Sequence, residues 1–425
     1  MVKVLKSGTA AGALERRDSE VREAVERIIA DVRERGDAAV RDYSTRFDHW
    51  SPPRFRLSPE DIRRLAASVP AQVRDDIAFA QAQIRGFAEA QRRSITDFEI
   101  EPLPGVRLGQ RTIPIASAGC YVPGGRYAMV ASAHMSVLTA KVAGVSRVVA
   151  VTPPLHGTPP AATITAMTMA GADEIYVLGG VHAVAALALG TETIEAVDFI
   201  AGPGNAYVAE AKRQLFGQVG IDLFAGPTEI LVLADHSADP ELVACDLLGQ
   251  AEHGPESPAI LITTSEELGR AVIEEVDRQL STLSTADVAG TAWRNRGEVR
   301  VVADIDEAIA EADRLAAEHV EVLTSEPRYV LERMRNYGAM FLGAGTTVAY
   351  GDKTIGTNHI LPTRGAARYT GGLWVGKYLK TVTYQECDEA ASVRIGEITA
   401  RLCELEGFAG HKATADLRVR RFSQR

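Results

Sequence analysis

Short apolar runs at residues 147–152, 174–178 and 197–201 are each followed by a glycine or proline turn and then an Ala-rich helical segment. No other feature constrains the fold as strongly, because strands alternating with helices assemble as parallel βαβ units. A second set follows at 229–234, 259–263, 299–302 and 320–323, so two α/β sheets divided near residue 228 fit better than one large sheet. Ahead of them, residues 18–100 read as helical. Val21, Ala24, Val25, Ile28, Ile29 and Val32 recur at helical spacing before Gly36. Ser58 and Pro59 supply a cap and a first-turn proline to a second helix. Residues 395–425 read as a largely helical end that turns basic.

Charge and cysteine usage narrow the function classes. The 425 residues carry a net charge of -10, with 46% hydrophobic and 24% charged side chains. That balance is ordinary for a globular protein, and its sign disfavours non-specific binding to nucleic acid or an anionic membrane. There is no run of about 18 or more apolar residues, and the start carries no signal-type apolar segment. Cys120, Cys245, Cys387 and Cys403 are scattered without a C-x-x-C spacing. A reduced, cytoplasmic protein is expected, with any metal held mainly by His, carboxylate or amide groups.

The polar groups that could carry chemistry concentrate in a few places. Residues 348–373 pack Asp352, Lys353, Asn358 and His359 between turn residues; Gly351, Gly356 and Pro362 argue against a long helix or a central strand there. Such a loop is either solvated or a site. Gln250 and His253 are three apart at the end of a helix capped by Asp239, so they share a face and could bind one ion together. A His that partners the helix dipole explains the same spacing. Glu318 and His319 stand at a helix-to-strand junction, where a carboxylate and an imidazole offer two proton acceptors of different pKa, or a solvated helix end. Glu406 and His411 flank two glycines at what reads as a helix end. Gly-Pro-Gly-Asn at 202–205 joins a strand to a helix whose amides could hold a phosphate. Tyr207 stands where a third glycine would complete G-x-G-x-x-G, so a standard Rossmann fingerprint is absent. Cys-Tyr-Val-Pro-Gly-Gly at 120–125 is a second glycine turn after a strand, with Tyr121 able to stack on a flat ring.

Taken together and in order, these segments resemble the histidinol dehydrogenase family. The matching stretches are the turn at 120–126, Ala-Lys-Val-Ala-Gly-Val at 140–145, Gly-Pro-Gly-Asn at 202–205 and Gly-Ile-Asp-Leu-Phe-Ala-Gly-Pro-Thr-Glu at 220–229. Gln-Ala-Glu-His follows at 250–253, then Glu-His at 318–319, Gly-Asp at 351–352, Asn-His-Ile-Leu-Pro-Thr at 358–363, and Glu-Gly at 406–407 with His411. Each motif is weak alone, but the ordered set is specific and spans nearly the whole chain.

The resemblance implies zinc, one per active site, held by Gln250, His253, Asp352 and His411. It implies Glu318 and His319 as proton acceptors and His359 as the imidazole that steadies the reacting oxygen. Tyr121, His182 and Asn205 match NAD contacts; Thr228 and Glu406 match substrate contacts. The implied fold is α/β, with two incomplete Rossmann-like domains built on parallel sheets, a helical N-terminal region and a C-terminal helical arm. The expected boundaries are an extension at 1–18, a first domain at 19–115 with 229–375, a second, cofactor-side domain at 116–228, and the arm at 376–425. By resemblance the protein is a homodimer in which each arm completes the neighbour's site. No nucleic-acid or membrane partner is expected.

The implied chemistry is a four-electron oxidation of a terminal primary alcohol to a carboxylate in two hydride steps. Four positions depart from the histidinol-oxidising pattern: Lys353 replaces an aromatic residue, Thr228 a serine, His182 a glutamine and Ala317 a proline. Residues 351–359 and 367–377 look like the branch that includes sulfopropanediol 3-dehydrogenases, which oxidise 2,3-dihydroxypropane-1-sulfonate to sulfolactate. Lys353 or Arg126 would attract a sulfonate, whereas Lys353 would repel the amine of histidinol. The alternatives are histidinol dehydrogenase itself and a non-catalytic metal-binding relative. A zinc hydrolase fits less well, because it leaves the two glycine turns unexplained.

Overall fold

Two parallel sheets carry the site, and each is built from the alternation described above. The computed structural model describes residues 2–9, 14–124, 128–223 and 226–424. One sheet has six strands in the order Lys3–Lys6, Gly297–Val301, Ala259–Thr263, Ile230–Ala234, His319–Leu323, Ala339–Leu342. All its pairings are parallel except that of Lys3–Lys6, which runs antiparallel along Gly297–Val301. The second sheet is wholly parallel, in the order Glu174–Val177, Arg147–Thr152, Ser117–Tyr121, Phe199–Ala201, Gly220–Ile221. Every residue of Ile230–Ala234 is buried, as a strand covered by helices on both faces requires.

The helical start belongs with the second sheet, not with the first as the expected boundaries had it. Val21, Val25, Ile28, Ile29 and Val32 of the helix Leu14–Arg35 share one core with Val149, Val151, Val184 and Leu187. The helix lies against Gly180–Leu189 and Ala206–Leu215, because its apolar stripe needs the open face of those helices for burial. The helix Pro59–Ser68 begins at a capping box. Ser58 Oγ accepts from the Asp61 N–H at 3.1 Å, and Asp61 Oδ2 accepts from the Ser58 N–H at 3.2 Å.

Compactness divides the chain into two units: Met1–Ala90 with Ile115–Tyr378, and Gln91–Pro114 with Leu379–Arg425. The second unit is a three-stranded antiparallel sheet (Leu379–Cys387, Val106–Pro114, Phe98–Leu103) and the helices Glu389–Glu406 and Ala409–Phe422. The expected arm thus begins as a strand, and it pairs with residues that the expected boundaries assign to the first domain. Among the described residues, no helix is long and apolar enough to cross a membrane.

Candidate functional site

The first unit contains a cleft of about 440 Å³ lined by Thr228, His253, Glu318, His319, Asp352 and His359, among others. Its two walls come from opposite strand ends. Pro123 and Gly124 follow Ser117–Tyr121, and Gly204 and Asn205 follow Phe199–Ala201, so the five-stranded sheet offers its carboxyl ends. That is the usual ligand side of an open α/β sheet. Thr228 precedes Ile230–Ala234 and Glu318 precedes His319–Leu323, so the six-stranded sheet offers its amino ends. His319 and Ile230 are paired in register, which sets Thr228 and Glu318 side by side.

A chain of short hydrogen bonds runs through this wall. The Gln250 amide nitrogen donates to Thr228 Oγ1 at 2.5 Å, and that hydroxyl donates to Glu318 Oε2 at 2.5 Å. The Glu229 N–H donates to the same carboxylate oxygen at 2.9 Å. The His319 ring follows the helix Ile305–Leu315 through Ala316, whose left-handed φ of 53° turns the chain sharply into the strand. Its Nδ1 lies 3.0 Å from the Glu229 carbonyl, so Nδ1–H donates there, and the buried Nε2 has no hydrogen-bond partner. Burial pushes the His319 imidazole down, but the Glu318 and Asp352 carboxylates and the Glu229 carbonyl outweigh it and raise it to about 9. A dication beside Asp352 would oppose that field and favour the neutral ring.

Asp352 and Lys353 close the short helix Val348–Lys353, so the polar stretch is neither a long helix nor a bare loop. Gly351 lets this helix approach the strand Ala339–Leu342: a Cβ there would fall 2.6 Å from the Phe341 ring. His359 braces the following turn. Its Nδ1–H donates to the Asp352 carbonyl at 3.0 Å, and its Nε2 accepts from Ser132 Oγ at 3.1 Å. Burial lowers its pKa, consistent with that neutral tautomer. To steady a reacting oxygen, Nε2 would have to exchange Ser132 for substrate. Lys353 Nζ is 3.9 Å from Asp352 Oδ2 with its side chain 56% exposed, and its charge reaches His253 and His359.

The donors present fit a divalent metal. With its nitrogen taken by Thr228, the Gln250 amide keeps its oxygen as the donor atom. His253 is exposed at the cleft, yet the crowding that strips water from its ring lowers its pKa and favours the neutral form that ligates. Asp352 adds a carboxylate. Among the described residues no group of three or more His, Cys, Asp or Glu surrounds a common centre, because the first unit supplies one His, one Asp and an amide. His411, the fourth expected donor, lies in the second unit. It is exposed near the start of Ala409–Phe422 with Phe408 5.4 Å from its ring, and Glu406 is exposed at the end of Glu389–Glu406.

On the cofactor side, Asn205 lines the cleft but also caps its own helix, accepting from the Tyr207 and Val208 N–H groups at 3.0 and 3.1 Å. Those amides are therefore engaged, against the expectation that they might cradle a phosphate. Gly202 is required at this turn: at φ 124°, a Cβ would lie 1.9 Å from the Tyr121 carbonyl oxygen. Tyr121 is buried and accepts from the Gly180 N–H at 3.1 Å. His182 is buried two residues on, 3.3 Å from Asp48. Neither lines the cleft. Arg126 lies outside the described residues.

Sequence reasoning missed Ser132, Glu229 and Arg364. Burial, then the Glu318 charge, pushes the Glu229 carboxyl up to about 7. Its place beside Thr228 in the Gly-Pro-Thr-Glu run was a signal that could have singled it out. Arg364 lines the cleft with a left-handed φ of 54°.

The comparisons bear on the family and the fold. The family model "Histidinol dehydrogenase" matches residues 13–419. A "Histidinol dehydrogenase homolog" of Shouchella clausii is 61% identical over 424 residues, 100% of this chain and 100% of the relative. A sulfopropanediol 3-dehydrogenase of Ruegeria pomeroyi is 46% identical over 407 residues, 95% of this chain and 93% of the relative. A histidinol dehydrogenase of Zymomonas mobilis is 45% identical over 401 residues, 93% of each chain. The crystal structure of histidinol dehydrogenase from Elizabethkingia anophelis matches with a TM-score of 0.90 at 31% identity, covering 98% of this chain and 95% of that one. With its model matched across nearly the whole chain and the fold reproduced, the protein belongs to the histidinol dehydrogenase family, as a dehydrogenase acting on a CH–OH donor.

Proposed function

We propose that this chain is a zinc-dependent, NAD-linked dehydrogenase that carries a terminal primary alcohol through the aldehyde to the carboxylate. The observation that carries the reading is the Gln250–Thr228–Glu318 hydrogen-bond line with His319 beside it. Binding alone needs no such pair of proton acceptors. The overall change is RCH2OH plus two NAD+ and water to RCOO−, two NADH and three protons. When bound, NAD would take up the two hydrides and zinc would supply a Lewis-acidic anchor for the substrate. Gln250, His253 and Asp352, with His411 from the partner's arm, would hold zinc; Asn205, at the cleft wall, would serve NAD.

The chain's own residues divide the proton traffic. His319 Nε2, left without a partner by the Nδ1–Glu229 bond, takes the alcohol proton as hydride leaves. Glu318, held by Thr228 and the Glu229 N–H, takes a proton from the water that attacks the aldehyde. Glu406 and Lys353 would contact the rest of the substrate. The half-exposed ammonium beside Asp352 favours an anionic substrate, and 2,3-dihydroxypropane-1-sulfonate is the reading we adopt. The family match and the 45% identity to a histidinol dehydrogenase favour L-histidinol as the second.

Purified protein assayed with both alcohols, following nicotinamide absorbance, tests this. Two NADH per sulfonate diol, with little turnover of histidinol, is the expected result. Efficient oxidation of histidinol alone would replace the substrate, and no reduction of NAD with either would overturn the reading.

A further inference from the structure

Glu321 is an acid on a buried strand. Like His319 and Leu323 it faces the helix Pro240–Ala251, while Val320 and Val322 face the opposite core. It is fully buried, and the neighbouring strands set Val232 and Phe341 beside it in register. Its Oε1 accepts from the Val348 N–H at 2.8 Å. Its Oε2 is buried without a hydrogen-bond partner, and the neighbouring Asp246 carboxyl acts on the Glu321 carboxyl. Asp246 Oδ1 in turn accepts from Thr347 Oγ1 at 2.9 Å. Two neighbouring carboxyls, one of them fully buried, are relieved of mutual repulsion when one of them keeps its proton.

The placement of this pair is what matters. Asp246 and Gln250 are four residues apart on one face of the helix Pro240–Ala251, and His253 stands in the turn just beyond its end. Glu321 is two residues along the strand from His319, on the same face. Thr347 and Val348 begin the helix that ends with Asp352 and Lys353. The Asp246–Thr347 and Glu321–Val348 hydrogen bonds therefore join, at the start of the Asp352 helix, the helix that carries Gln250 and leads to His253 and the strand that carries His319 beside Glu318. We propose that Asp246 and Glu321 are positioning residues, a proton-sharing carboxyl pair that fixes these three elements at the spacing the metal donors and proton acceptors require. This rests on the functional reading above only for what is being positioned.

The shared proton has a signature in stability. Burial, and then the Asp246 charge, push the Glu321 carboxyl up to about 8 from an ordinary 4.5; burial raises Asp246 as well. The other groups facing the pair are the Cys245 thiol, which feels both charges, the Thr347 hydroxyl and the Val348 amide. Between those two values the folded chain keeps a proton that the unfolded chain releases. The pair's contribution to stability therefore falls as pH rises through that window.

Three variants of the full-length protein test the proposal. In Glu321→Gln the amide oxygen still accepts from Val348 and the amide nitrogen donates to Asp246. Zinc retention against a chelator and kcat should stay near native, and the fall in melting temperature between pH 5.5 and 8.5 should shrink. Glu321→Leu should weaken zinc retention by about tenfold or more, the scale seen when groups behind metal ligands are removed. Because that variant could fail to fold, Thr347→Val removes one outer bond and should weaken zinc retention by about tenfold, the lower end of the same range. Native zinc retention in Thr347→Val or in folded Glu321→Leu would overturn the positioning role. A Glu321→Gln protein as defective as Glu321→Leu would overturn the shared proton. If the native protein itself took up no zinc, the functional reading and the positioning role would both fall, while the pH comparison would still decide the shared proton.

Discussion

The Thr228 hydroxyl donates to Glu318 Oε2 at 2.5 Å while accepting from the Gln250 amide at 2.5 Å. One hydroxyl thus sets both the direction of an acceptor carboxylate and which end of a donor amide remains available. Thr228→Val should leave Glu318 short of a donor and the amide free to turn, at a cost of about 1–3 kcal/mol in transition-state stabilisation. Thr228→Ser should keep most of the activity. Steady-state rates with alcohol and with supplied aldehyde check this, and equal activity in Val and Ser variants would refute the coupling.

Glu318 and His319 should separate kinetically. His319→Asn is expected to slow the alcohol step, while Glu318→Gln slows chiefly the oxidation of supplied aldehyde, each by about 10²–10⁴-fold as loss of a general base commonly does. Indistinguishable losses on both substrates in both variants would remove the case for distinct roles.

His253→Ala is expected to abolish zinc uptake and nearly all activity while the fold persists, since the ring contributes one of the three donors within the first unit. Elemental analysis of the purified variant is the measurement. Full zinc occupancy would refute the ligand assignment.

The dimer reading has its own test. Glu406 and His411 lie on exposed parts of the second unit's helices. If that unit completes the neighbour's site, mixing inactive His253→Ala and His411→Ala subunits should restore activity, because one site of each mixed dimer then carries neither defect. No recovery after verified subunit exchange would count against it.

For Lys353 the structure moderates the charge argument. A side chain 56% exposed is screened by solvent, so its contact with an anion is worth about 0.2–1 kcal/mol, or roughly up to fivefold in KM. Lys353→Tyr should raise KM for the sulfonate diol by that order with little change in kcat. A fall in kcat with unchanged KM would move Lys353 from binding to chemistry.

Much of this was legible in the residues alone. The strands at 147–152, 174–177 and 259–263 stand where their apolar runs predicted, because a strand buried on both faces has no polar period to disguise it. Caps at Ser58 and Asp239 were equally readable, since their partners lie within three residues. What only the tertiary structure decided depends on contacts between distant segments. Register between Ile230–Ala234 and His319–Leu323 brings Thr228 to Glu318 across 90 residues, and no local pattern encodes that distance. The helix Leu14–Arg35 displayed its apolar stripe but not which sheet would cover it. Neither Asp246 nor Glu321 carries a local pattern that points to the other. Folding brought them together, and burial makes a shared proton cheaper than two charges.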